Sequence, residues 1–305
     1  MTGSELNETA TRRSAGPRQT DAPVRSWSPD RAYRIWLIPP MAMLLVLFVW
    51  PLLRVVGTSF TGNGVTLANY RALVTDPTYA IVLVYTFRVS LVVTLLCLLL
   101  AYPVAWVISS LRGHWLHLCL GLVLVPFWTS TVIRTYAWLV VFQRRGALND
   151  VLLSLGLISS PLRLVNDGVG MQVAMVHIML PFMVLPVLSA MWGLDNTLLR
   201  AASLLGANPL RQFWHVHLPL TMPGLSAGCV LVFIMSLGFF ITPALLGGQH
   251  IMVAVLIQQQ ASRLLNWPMA SAVSSVLLVV TCVLYIGYDH LSRRASGADL
   301  LGAGR

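Results

Sequence analysis

DNTLLRAASLLGANPLRQFWHVHLP, residues Asp195–Pro219, is the longest stretch between apolar runs that still carries the signals of ordered structure. Asp195 or Asn196 can cap a short helix, and Gly206 stands where a left-handed C-terminal cap is expected. The apolar positions of this helix fall on one face and are Leu198, Leu199, Ala202 and Leu205.

A second start signal follows at once, because Asn208 precedes Pro209 as a capping side chain precedes a proline at the first helical position. The stretch therefore predicts two short helices joined by a tight turn and held between two hydrophobic anchors. A plain linker is the alternative, but helix connections usually take only a handful of mostly polar residues. An apolar helix face in water needs a partner that buries it, and we expect a partner protein here.

Composition places the rest of the chain in a membrane. Of 305 residues, 57% are apolar and only 10% are charged, whereas soluble domains have roughly 25% charged residues. The net charge of +10 comes entirely from arginine, since there is no lysine, and the arginines concentrate at the ends and in loops. Interfacial arginine explains this better than nucleic-acid binding does. A helix-turn-helix DNA reader is the other alternative for the 195–219 segment, but membrane anchoring at both ends and the few basic side chains available to meet phosphates disfavour it.

Six apolar runs have the length that a membrane-spanning helix needs. They are Ile35–Leu53, Ala80–Ser110, Leu116–Val141, Gly168–Leu194, Thr221–Pro243 and Met269–Tyr288. Between the last two, residues 244–268 contain paired glycines and a glutamine run, which predict an irregular or re-entrant segment. The sequence therefore predicts an all-α polytopic membrane protein with six transmembrane helices.

Arginine also predicts the orientation. The two termini, the link between spans two and three, and the 195–219 segment together hold twelve arginines, whereas the opposite loops hold five. By the positive-inside rule both termini are cytoplasmic, and so is the 195–219 segment. We expect a polar cytoplasmic tail over 1–33, a membrane domain over 34–290 and a second cytoplasmic tail over 291–305.

Catalytic and metal-binding patterns are missing from the sequence. No nucleophile–base–acid set or GxxxxGK[ST] phosphate loop is present, so we expect no enzyme activity and no ATP hydrolysis by this chain. The four cysteines lie in apolar runs without CxxC spacing, which predicts neither disulfides nor a metal site. His215 and His217 are two residues apart and do not share a helix face, so they are not predicted to bind metal.

Arg134 is the most informative charge within the membrane region, because ionisable groups at depth face a cavity or pair with another group. It can border a translocation path or anchor span three at the interface. Aromatic and hydroxyl side chains suited to a polar pathway surround it; they are Trp128, Thr129, Ser130, Thr135 and Tyr136. The same residues are also compatible with ordinary packing between helices.

Several motifs carry a resemblance to a known family. Ala201, Ala202, Gly206, Val216, Leu218 and Pro219 fit the pattern EAA-x3-G-x9-I-x-L-P, spacing included, of permease subunits in binding-protein-dependent ABC importers. Further motifs resemble the spermidine/putrescine-type permeases; they are LIPP (37–40), AYPVAW (101–106), PFWTSTVIRTYAW (126–138), LPFMVLPV (180–187), ITPALLGG (241–248) and NWP (266–268). The resemblance covers nearly all of the chain from Ile35 to His290.

This resemblance implies a type I ABC importer permease in the bacterial inner membrane. The 195–219 segment is then the loop that couples to a cytoplasmic ATPase. The implied coupling residues are Arg200, Ala201, Ala202, Gly206, Leu218 and Pro219. The implied partners are two ATPase subunits, a second permease forming a heterodimer, and an extracytoplasmic solute-binding protein. ATP and magnesium would be bound by the ATPase, and no cofactor or metal by this chain.

The sequence departs from the family pattern at two places. Arg200 stands where the motif has an acidic residue, so pairing with an ATPase calls for a compensating acid on that partner. Relatives read LGDF where this chain has residues 237–240, LGFF, so an acid near the pathway is missing. Polyamine is the expected cargo, and opines, phosphonates, thiamine and iron are alternatives. A proton-coupled secondary transporter is the alternative class, but it would place acidic residues within the membrane.

Overall fold

The structure is a computed structural model, which describes the backbone of residues 31–62 and 64–302 and the side chains of 36–61, 66–195, 197, 198 and 200–290. The predicted tail over 1–33 lies outside the described residues except for its last three. The long helices are α1 (Arg31–Ser59), α3 (Pro77–Ser110), α7 (Gly168–Trp192), α10 (Leu218–Leu237) and α13 (Trp267–Gly302). Among the described residues, those up to Leu53 form one compact unit and those from Arg54 onward form a second.

Shorter elements connect these helices. The short helices are α2 (Ala68–Thr75), α4 (His114–Trp128), α5 (Thr131–Val141), α6 (Ala147–Ser154), α8 (Asn196–Leu204), α9 (Pro209–Gln212), α11 (Ile241–Leu246) and α12 (Val253–Ser262). A π-helix over Phe213–His217 stands between α9 and α10. Strands β1 (Thr61–Gly62) and β2 (Gly64–Val65) pair antiparallel, with Thr61 opposite Val65. Apart from this pair of two-residue strands, the described elements are all helical, which confirms the all-α class.

The described residues contain five helical stretches that are long and apolar enough to cross a membrane, and a sixth if α4 and α5 together form one span. These stretches match the predicted spans two and four closely. Span five differs, because its helical stretch runs over Pro209–Leu237 and not over Thr221–Pro243. The helix ends before a break at Gly238, and α11 begins after it. The backbone of α13 stays helical through residues predicted as the second tail.

Helices α3, α7 and α10 pack against one another and hold most of the buried core of the second unit. Small residues allow α10 to approach α7 closely. A Cβ placed on Gly224 would lie 2.4 Å from Cβ of Ala190 and 2.6 Å from the carbonyl oxygen of Pro186. A Cβ on Gly228 would lie 2.8 Å from the sulfur of Met183. Close backbone approach at small residues is the usual way in which membrane helices gain van der Waals contact.

The predicted third span is broken in the middle. Helices α4 and α5 meet at an angle of 99° across Thr129 and Ser130. Helix α5 packs against the short helix α11, which follows the break after α10. Broken helices at membrane depth are tolerated where the freed backbone groups lie against protein or a cavity. The two breaks therefore mark a region of the second unit where irregular backbone is concentrated.

The segment between α10 and α13 consists of the short helices α11 and α12 joined by loops, and α12 is tied to α3. The backbone N–H of Val253 donates to the hydroxyl of Thr86 at 2.9 Å, and this hydroxyl donates to the carbonyl of Val82. The loop after α6 is fixed by Asn149, which is fully buried and exchanges two hydrogen bonds with Leu162. Side-chain hydrogen bonds thus fix the position of both connections.

Candidate functional site

The 195–219 segment begins with a helix cap. The carboxylate of Asp195 accepts a hydrogen bond from the backbone N–H of Thr197 at 2.9 Å. This bond and a second one from the Thr197 side chain hold the pKa of Asp195 below its ordinary value. The cap satisfies one of the free N–H groups at the start of α8. Asp195 is therefore the residue that fixes the start of α8.

Helix α8 ends in a Schellman turn at Gly206, as the sequence predicts. Gly206 has φ +81, a left-handed conformation that glycine adopts without strain. The N–H of Ala207 donates to the carbonyl of Ala202 at 3.1 Å, and that of Gly206 donates to Ser203 at 3.0 Å. These are the two hydrogen bonds that define this turn. The alanine and glycine of the sequence motif are thus joined through one backbone structure.

Helix α9 is attached to α8 by side chains. Asn208 caps it by accepting from the N–H of Arg211 at 2.8 Å. The amide nitrogen of Gln212 donates to the hydroxyl of Ser203 at 2.9 Å and to the carbonyl of Ala207 at 2.8 Å. The two short helices predicted from sequence are therefore present and form one unit.

The second helix does not end before the next span. Through the π-helix it continues into α10, whose first two residues are Leu218 and Pro219. These two motif residues thus belong to α10, whereas Ala202 and Gly206 belong to α8 and the turn that ends it. Leu218 is partly buried and packs on the core, whereas Pro219 is exposed. The segment is consequently connected without a loop to the helix core.

The tip of the segment exposes apolar side chains. Leu204 and Leu205 are each 89% exposed, and Leu210 and Trp214 are also exposed. Arg200 and Ala201 are exposed on α8, while Ala202 is partly buried. Exposed apolar side chains on a segment outside the helix core predict a contact with another molecule.

A cavity of about 310 Å³ lies at the break between α4 and α5. Thr129, Ser130 and Arg134 line it together with side chains of α7, among them Pro181 and Phe182. A guanidinium N–H₂ group of Arg134 donates to the hydroxyl of Thr131 at 3.2 Å. Its Nε is buried and has no hydrogen-bond partner. Arg134 therefore has unused donor capacity at the wall of the cavity.

The remaining candidates of the path motif lie elsewhere. Thr135 is fully buried, and its hydroxyl is hydrogen-bonded to that of Thr242 on α11 at 2.9 Å. Trp128 is 79% exposed and Tyr136 is 52% exposed, and neither lines the cavity. The break thus brings three of the six residues together and turns the other three toward packing or the surface.

Sequence reasoning did not find two polar pairs. The indole N–H of Trp138 donates to Nδ1 of His177 at 3.1 Å, which connects α5 to α7. The hydroxyl of Tyr102 is hydrogen-bonded to Nδ1 of His217 at 2.9 Å, which connects α3 to the π-helix. The partners are separated by 39 and 115 positions in the chain. No local pattern connects residues so far apart.

No family model matches the chain. The spermidine/putrescine transport system permease protein PotB of Haemophilus influenzae is 40% identical over 258 residues, covering 84% of this chain and 88% of that protein. PotB of Escherichia coli is 39% identical over 259 residues, covering 82% and 94%.

Among solved structures, a bacterial alginate ABC transporter in complex with an alginate pentasaccharide-bound periplasmic protein gives a TM-score of 0.68 at 16% identity. The match covers 87% of this chain and 96% of that chain. At this identity the similarity is one of fold alone. The predicted ABC importer permease fold is confirmed by it.

Proposed function

The chain belongs to the spermidine/putrescine-type permease family of ABC importers and is a multi-pass inner-membrane protein, and on this premise we propose that it carries a polyamine into the cell. It supplies membrane helices and no catalytic group. ATP and magnesium are bound by a separate ATPase, present in two copies. A second permease completes the membrane core as a heterodimer, and an extracytoplasmic binding protein delivers the solute. Both termini and the 195–219 segment face the cytoplasm.

The polyamine cargo is inferred from the relatives, and the observation that carries the proposed coupling to an ATPase is the exposed apolar tip of the 195–219 segment. Leu204 and Leu205 stand at the Schellman turn, 89% exposed, on a segment that is rigidly capped at both ends of α8. A rigid apolar projection costs little ordering entropy when it docks into a groove. The ATPase is the partner that supplies this groove, and Arg200, Ala201, Ala202 and Gly206 contact it or shape the contact.

Arg134 and its cavity are assigned to the translocation path in the same proposal. The cavity lies at the break of one span, which is where membrane transporters place solute contacts. Thr129 and Ser130 add hydroxyls to its wall. Trp128, Thr135 and Tyr136 are proposed to reach the path only in another conformation of the α4–α5 pair.

Co-purification tests the docking role. We expect Leu205→Asp to abolish recovery of the ATPase with the tagged permease complex. Leu157→Asp is the matched control, because Leu157 is 67% exposed in the loop after α6, away from the segment. Equal recovery with both variants would contradict docking at this tip. Uptake of labelled spermidine by proteoliposomes that contain the whole complex tests the cargo; uptake without ATP would favour a secondary transporter.

The salt dependence of ATPase association tests the role of Arg200, which stands where the family motif has an acidic residue. If Arg200 meets an acid on the ATPase, Arg200→Glu should weaken association more at low salt than at high salt, because screening removes the repulsion. Association that does not change at either salt concentration would show that Arg200 is not a contact.

A further inference from the structure

Four aromatic residues connect α3 to the π-helix. Tyr102 and Trp106, both in the AYPVAW motif, are four residues apart on α3, and Phe213 and His217 are four residues apart on the π-helix. Side chains at this spacing share one helix face. We call these four residues the aromatic clasp. Trp106 stacks on both partners, at 5.5 Å from the Phe213 ring and 5.6 Å from the His217 ring.

Tyr102 completes the clasp. Its ring meets Phe213 edge-on at a centroid distance of 5.7 Å, and its hydroxyl is hydrogen-bonded to His217 at 2.9 Å. Edge-to-face and offset pairs of this kind add stability beyond the burial of their area. The contact therefore has both a directional and an apolar component.

The clasp lies at a π-helical turn, where the backbone departs from regular α-helix. In the π-helix, the N–H of Leu218 donates to the carbonyl of Phe213, five residues earlier. This wider turn is rare and is one of the recognised causes of bends in helices. It is also the continuous connection between the 195–219 segment and α10. A force on the segment could therefore bend the helix here instead of moving α10.

A cavity of about 440 Å³ lies beside the clasp, between α3, the π-helix and the end of α7. Trp106 lines it from α3, Phe213 and His217 line it from the π-helix, and Met191 and Trp192 line it from α7. At this cavity the π-helix contacts α3 through the clasp and faces α7 across open space.

We propose that the aromatic clasp braces the π-helix, so that a displacement of the 195–219 segment by the ATPase moves α3 with it and is not lost as a bend. Tyr102, Trp106, Phe213 and His217 are positioning residues for transport. The inference rests on the proposed docking of the ATPase. It gives the AYPVAW motif a mechanical role.

A distance measurement tests the brace directly and does not depend on the cargo. Spin labels are placed at Ser110→Cys, at the end of α3, and at Leu198→Cys, on α8, in the whole complex after replacement of the four native cysteines. We expect one narrow distance distribution that is the same with and without ATP. In Trp106→Ala the distribution should broaden and shift on ATP binding. A distribution that stays narrow in Trp106→Ala would overturn the proposal.

Transport stoichiometry gives a second readout. We expect Trp106→Ala to lower the spermidine moved per ATP about tenfold, the effect of losing two ring contacts of ordinary strength. Tyr102→Phe keeps the ring and should lower it about fivefold, the effect of one ordinary hydrogen bond. His217→Ala combined with Tyr102→Phe should be no worse than His217→Ala alone. If the losses of transport per ATP in His217→Ala and Tyr102→Phe add in the double variant, the two residues do not act through one shared contact.

The control variant is Tyr288→Phe. Its hydroxyl donates to Ser226 at 3.1 Å and joins α13 to α10, so the variant loses a similar bond outside the clasp. It should leave both readouts unchanged. Failure of docking and failure of the brace differ in outcome: the first removes the ATPase from the purified wild-type complex, whereas the second leaves it bound with an unchanged distance distribution in Trp106→Ala.

Discussion

The hydroxyls of Thr135 and Thr242 lie 2.9 Å apart and are both fully buried, so that one hydrogen bond joins α5 to α11. Thr135 also donates to the carbonyl of Thr131 at 2.9 Å, which leaves Thr242 as the donor in the pair. The two short helices that follow the breaks in their spans are thereby linked.

Removing one hydroxyl of this pair should destabilise the protein more than removing both. Thr135→Val leaves the Thr242 donor buried without a partner, at a cost of about 1–3 kcal/mol. The double variant with valine at both positions should recover most of this loss. Thermal unfolding of the detergent-solubilised complex measures both. If the losses of stability of the two single variants simply add in the double variant, the two hydroxyls are not directly hydrogen-bonded.

Gly206→Ala should disrupt the Schellman turn through the backbone alone. At φ +81 a Cβ would have no atom within 4 Å, so no clash is involved. The left-handed conformation should cost alanine about 1–2 kcal/mol. We expect faster hydrogen exchange in α8 and lower ATPase recovery. Gly121→Ala, in the interior of α4 with equally open space, is the control and should change neither.

Protonation of Asp195 should loosen the start of α8. Hydrogen bonds from Thr197 lower the pKa of Asp195, so the cap is fully stabilising above the ordinary value of 3.8 and is lost as pH falls through the lower folded value. Hydrogen exchange of α8 should accelerate across this acidic window relative to Asp195→Asn, which keeps an acceptor that does not titrate. If the exchange rate of α8 depends on pH in the same way in both proteins, protonation of the Asp195 cap is not the cause of the faster exchange.

Arg134→Gln should impair transport without preventing assembly. The guanidinium lines the cavity at the α4–α5 break, which the proposal assigns to the translocation path, and its buried Nε has no hydrogen-bond partner. Loss of one charged contact should slow uptake into proteoliposomes about tenfold or more. Arg263→Gln, at an exposed arginine directly after α12, is the control. Unchanged transport in Arg134→Gln would remove Arg134 from the path.

Gly224→Ala should damage the helix core. The added methyl would meet Cβ of Ala190 at 2.4 Å and the carbonyl of Pro186 at 2.6 Å, and a backbone atom cannot move aside as a flexible side chain can. We expect destabilisation of about 1–3 kcal/mol, seen as a lower unfolding temperature. Ala190→Gly in the same chain should recover part of it. Gly238→Ala has open space and should be tolerated.

The local features of this protein follow from its sequence. Apolar runs of membrane-spanning length predict the long helices because the hydrocarbon core leaves few alternatives for the backbone. Asp195, Gly206 and Asn208 predict the caps and the turn of the 195–219 segment, because each acts on backbone groups within a few residues. The family motifs predict the importer fold. All of these signals act over short distances in the chain.

Tertiary structure decided what joins distant residues. The 99° bend between α4 and α5 places Arg134, Thr129 and Ser130 in one cavity, whereas Thr135 turns to Thr242, 107 positions away. The π-helix makes the 195–219 segment continuous with α10, and it is held by Tyr102 from α3. Such contacts depend on how helices pack. The apolar face of a helix, read from the sequence, predicts only that this face will be buried. Which helix buries it depends on the geometry of the whole bundle.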